Sequence, residues 1–123
     1  AGIMFYPDSG LLAISTETDN EYVEPLIQEV YHEIDRLHQE PVSAEELTIV
    51  RNYMLGEMCR SYESPFSLSD AWIFIATSGL DDDYFSRSLL AVNEVTPMEI
   101  QDLAQRYLCK ETLKEVIAGK KLS

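Results

Sequence analysis

Val23, Leu26, Ile27, Val30, Tyr31, Ile34 and Leu37 recur at intervals of three or four and fall on one stripe of a helix that starts near Asn20. A helix with one apolar stripe has to bury it, so the pattern commits the chain to a packed core with at least one further layer. Pro25 fits only in the first turn of that helix, where backbone N–H groups lack intrahelical partners. "EPVS" then breaks the period, and Ser43-Ala44-Glu45-Glu46 predicts a capping box that opens a second helix, with Leu47, Val50, Met54, Leu55, Met58 and Tyr62 as its apolar face. Ser64-Pro65 predicts the cap and first turn of a third helix. Its body, "FSLSDAWIFIATSGL", is apolar nearly all round, which makes it the expected most buried element, with Gly79 placed to stop it. Asp81-Asp82-Asp83 precedes a short fourth helix, and Thr96-Pro97-Met98-Glu99 predicts another capping box, for a last helix that runs to about Cys109.

The two ends of the chain alternate instead. "AGIMFY" and "LLAISTET" flank the turn-forming Pro7-Asp8-Ser9-Gly10 and predict a β-hairpin over 1–17, while "LKEVIAG" predicts a closing strand over 113–119, followed by a polar "KKLS" tail. With a helical run over 21–109 between them, the expected fold is α+β. A small, mainly antiparallel sheet, formed by the N-terminal hairpin plus the C-terminal strand, is covered on one face by four to five helices in a single domain over 1–123. Three strands offer little surface to five helices, and the chain opens at Ala1 rather than at a Met, so an incomplete α/β domain, a piece of a longer protein, is expected.

Charge narrows the partners. Twenty-two acidic residues against nine basic ones give a formal charge of −13, which repels phosphate backbones, so neither nucleic acid nor an anionic membrane surface is an expected partner. No apolar run approaches the roughly 18 residues of a membrane span, and no basic segment precedes "AGIMFY" as a signal peptide requires. A soluble protein, cytoplasmic or periplasmic, is expected. Cys59 and Cys109 stand in two different helical patterns with no CxxC, and are expected to be buried, hydrophobe-like thiols.

The chemistry-bearing residue types meet most closely in "YHEIDRLH", which holds His32, Glu33, Asp35 and His38. HExxH and HxxEH work because ligands four residues apart share a helix face beside the glutamate that activates water. His32 and His38 are six apart, which sets them roughly 120° around the helix and about 9 Å along it, too far for one zinc ion with bonds near 2.1 Å. A solvated helix face is the expected role: His32 points away from the stripe and His38 sits at its rim. Asp81-Asp82-Asp83 lacks the alternating ligands of an EF-hand loop and reads as an acidic cluster at a helix N-terminus. The serines of "SYESPFSLSD" lack GxSxG, SxxK and a placed histidine, no phosphate-binding glycine loop exists, and Trp72 is expected in the core. No catalytic, substrate-binding, cofactor-binding or metal residue is therefore nominated.

Five segments in order carry a family resemblance: "DSGLLAIST", "VSAEELTIVRNYMLGEMCRSYES", "SGLDDDYF", "VTPMEIQDLAQRYL" and "EVIAG". Together they resemble the back half of a domain of the pitrilysin/insulinase zinc metallopeptidases, a family that includes mitochondrial processing peptidases. The most telling are the helix start Val42-Ser43 with Glu46, Leu47 and Arg51, and the helix Val95-Thr96 with Glu99, Ile100, Ala104, Tyr107 and Leu108. The resemblance implies a parent of two facing homologous domains, the first with HxxEH and zinc, the second without zinc ligands. Since "EVIAG" resembles the family's last strand, it implies the C-terminal part of that second, non-catalytic domain, inactive alone and helping to enclose peptide. Implied partners are the remainder of the parent peptidase, especially its catalytic domain, and, in the parent, a peptide substrate. Zinc is implied only for the missing domain, and no cofactor for this chain. An exposed sheet edge predicts self-association as well. The alternative is a stand-alone acidic protein-interaction module without enzymatic activity.

Overall fold

The computed structural model describes residues 1–6 and 8–119. Pro7 of the expected turn and the "KKLS" tail lie outside the described residues. Strands β1 (Gly2–Tyr6) and β2 (Ser9–Ala13) pair antiparallel in register from Gly2 opposite Ala13 to Tyr6 opposite Ser9. A 3-10 turn at Asn20–Tyr22 leads into α1 (Val23–Gln39), followed by α2 (Ala44–Arg60), α3 (Pro65–Ser78), α4 (Tyr84–Glu94) and α5 (Pro97–Tyr107). The class is α+β, as the patterns require.

Helix starts follow the capping chemistry closely. Ser43 accepts the Glu46 N–H at 3.1 Å to open α2, but the Glu46 side chain returns no bond to Ser43, so the expected box is a one-way cap. Thr96 and Glu99 form the complete reciprocal box at α5, with Pro97 in the first turn. At α3 the partner of Ser64 is Ser67, in a box closed both ways. Gly79 ends α3 at φ 64°, the left-handed region that glycine enters without a Cβ clash.

The chain divides into two compact units. One holds Ala1–Ala13 and Ser43–Val95, hence the hairpin and α2 to α4; the other holds Ile14–Val42 and the chain from Thr96 onward, hence α1 and α5. In the second unit α1 packs on α5, and the stripe behaves as expected: Ile34 is buried, Val23, Leu26, Ile27, Val30, Tyr31 and Leu37 are half-buried, and Ala104 faces them from α5. In the first unit α2 packs on α4, with Leu47 and Ile75 buried.

Several expectations need correction. The segment 113–119 forms no strand; Val116 and Ile117 stand exposed, because an extended segment becomes a strand only when a sheet edge takes up its N–H and C=O groups. The helices do not cover the sheet either, since every strand residue except Ala13 is exposed; a two-stranded ribbon is too narrow to seat a helical layer. α3 is not the most buried element. Its Phe74 and Ile75 sector finds neighbours, but Phe66, Leu68, Trp72 and Ile73 are exposed, so Trp72 is not a core residue. An all-round apolar helix needs cover on all sides, and its own unit reaches only one of them. Val50 and Met54 of α2 are likewise exposed. Cys59 is exposed and Cys109 half-buried; Cys59 lies about 120° around α2 from Leu47, off the packed face.

Candidate functional site

In "YHEIDRLH" each polar group already has a structural neighbour or faces solvent. His32 is exposed. Glu33 takes both of its contacts from Arg36 one turn on, at 2.8 and 3.0 Å. Asp35 pairs with Lys110. His38 departs from the expected solvated face: it is half-buried, and its Nε2 donates to the Ala104 carbonyl at 3.0 Å, which fixes the proton on that nitrogen. Its own carbonyl accepts the side-chain amides of Gln101 and Gln105 at 2.9 and 2.7 Å. His38 is thus the polar fastening between the end of α1 and the middle of α5. The zinc implied by the resemblance does not fit these residues: among the described residues no three of His, Cys, Asp and Glu converge as a metal would require.

A second fastening runs from α1 to the segment after α5. Lys110, besides pairing with Asp35, lies 5.6 Å over the Tyr31 ring, and the Tyr31 hydroxyl donates to Glu115 at 2.7 Å. That hydrogen bond to a carboxylate, with some burial, raises the Tyr31 hydroxyl above its ordinary range. Asp81 and Asp83 answer Arg87 at 3.7 and 3.2 Å, so the triad serves the first turns of α4, beside an open depression lined by Leu80 to Asp83.

The two most telling sequence pieces have structural duties. Ser43 caps α2, Leu47 enters the core, and Arg51, one turn beyond Leu47, carries its guanidinium across to α4. There it donates to the Val92 and Val95 carbonyls at 3.1 and 2.5 Å, satisfying acceptors that a helix C-terminus leaves free. Thr96 then caps α5, and the carbonyl of buried Ala104 accepts a hydrogen bond from His38 Nε2–H. The role of Arg51 was missed in the sequence; its spacing of four from Leu47 puts it beside the packed face and was the available signal.

What remains unengaged is apolar. Along β1 and β2, Ile3, Phe5 and Leu12 share one face of the ribbon, and Met4, Tyr6 and Leu11 the other, all of them exposed. On the first face the Phe5 ring reaches Phe74 of α3 at 6.4 Å, and Phe74 continues to Tyr84 at 6.0 Å. Beyond them Tyr62 meets Phe85 edge-on at 4.8 Å, and burial pushes its hydroxyl above the ordinary tyrosine range.

The model of one protein family, described as the peptidase M16 inactive domain, matches residues 1–54. Residues 1–54 are thus similar to that family. The matched stretch of this inactive domain takes in the hairpin, α1 and α2 as far as Met54; it contains the Val42 to Arg51 piece, while the Val95 to Leu108 piece lies beyond it. The similarity is consistent with a C-terminal, non-catalytic portion of a pitrilysin/insulinase-type peptidase. No curated protein and no solved structure matches the chain.

Proposed function

We propose that the chain is a non-catalytic wall element of a zinc-dependent peptidase, which helps to form the chamber that encloses a peptide while zinc and the water-activating base reside in another domain. The observation that carries this reading is the match of residues 1–54 to an inactive peptidase domain. It is supported by the duties of the motif residues: Ser43, Leu47, Arg51, Thr96, Glu99 and Ala104 cap helices, fill the core or hold neighbouring segments. The reading nominates no catalytic, substrate-contacting or zinc-binding residue in this chain, and its principal partner is the catalytic domain of the parent.

Zinc titration by calorimetry, run beside a peptide-cleavage assay, tests it. The expected result is no stoichiometric zinc binding and no hydrolysis by the chain alone. Stoichiometric zinc with chelator-sensitive cleavage would overturn it.

A second reading, an acidic protein-interaction module with no peptidase partner, draws on the exposed apolar hairpin and the charge of −13. Mixing the chain with the catalytic portion of its parent separates the two. Restored cleavage supports the wall element; no association and no rescue supports the module.

A further inference from the structure

We draw no further inference here: the strongest candidate, the exposed apolar side of α3 that carries Phe66, Leu68, Trp72 and Ile73, belongs to a chain that reads as a piece of a longer domain, and nothing in the structure shows what covers it.

Discussion

Ile34 and Ile3 are the same side chain in two settings. Ile34, on the stripe of α1, is 3% exposed, while Ile3, on β1, is 61% exposed in a ribbon that is apolar on both faces. α1 has its partner within its own unit, and the contact is completed by polar fastenings: His38 to Ala104, Gln101 and Gln105 to His38, Lys110 to Asp35. The hairpin has one aromatic contact to α3 and no polar fastening comparable to these among the described residues. Apolar content alone does not place a side chain inside. A segment is buried when another element of complementary shape also answers its hydrogen-bonding groups.

That difference is sharpest in stability. Ile34→Ala removes buried methyl groups and leaves a cavity, so it is expected to cost about 3 kcal/mol in urea unfolding. Phe66→Ala, a larger truncation at 84% exposure, is expected to stay within about 0.5 kcal/mol. If both variants cost alike, the contrast between covered α1 and uncovered α3 is wrong.

Arg51 supplies the next effect. Its guanidinium satisfies two carbonyls at the end of α4, and hydrogen bonds from a charged donor contribute about 1.5–3 kcal/mol each when the partner is otherwise stranded. Arg51→Met, which keeps the aliphatic stem, is expected to cost about 2 kcal/mol and to raise amide exchange in the last turn of α4. An unchanged urea midpoint would show that water replaces the guanidinium without loss.

How far these features were legible depends on how far apart their partners lie. The box of Thr96 and Glu99, the cap at Ser43 and the stop at Gly79 are local devices, complete within four residues, and the structure contains each of them. The stripe of α1 was legible because one helix decides which way it points. His38 was placed correctly at the rim, but its bond to Ala104 spans 66 positions and needs α5 in position. The strand expected at 113–119 and the burial of Trp72 failed for a shared reason: pattern shows that a segment can be covered, and another element has to do the covering.

Capping gives the smaller effects, and they sharpen the comparison because α5 belongs to the well-fastened unit. Thr96→Ala removes the acceptor of the Glu99 N–H and is expected to cost about 1 kcal/mol in urea unfolding. A variant as stable as the original would mean that the α1 contact alone holds α5 in place.

The last and smallest effect is the pH dependence of the same box. The Thr96 backbone N–H and the Thr96 hydroxyl both donate to Glu99 Oε2 at 2.8 Å, which holds the carboxyl below its ordinary range. The unfolded chain therefore takes up this proton first as pH falls. The stabilisation is fully present above the ordinary glutamate value of roughly 4.3 and is lost as pH drops below it toward the lower folded-state value. Glu99→Gln removes the titration while keeping an acceptor for the Thr96 N–H. The gap between the urea midpoints of the original and Glu99→Gln chains is accordingly expected to be widest near neutral pH and to shrink below about pH 4. A gap that stays constant down to about pH 3 would mean that the carboxylate charge does not strengthen the cap. The start of α5 would then rest on geometry alone, as the start of α3 does with two neutral serines.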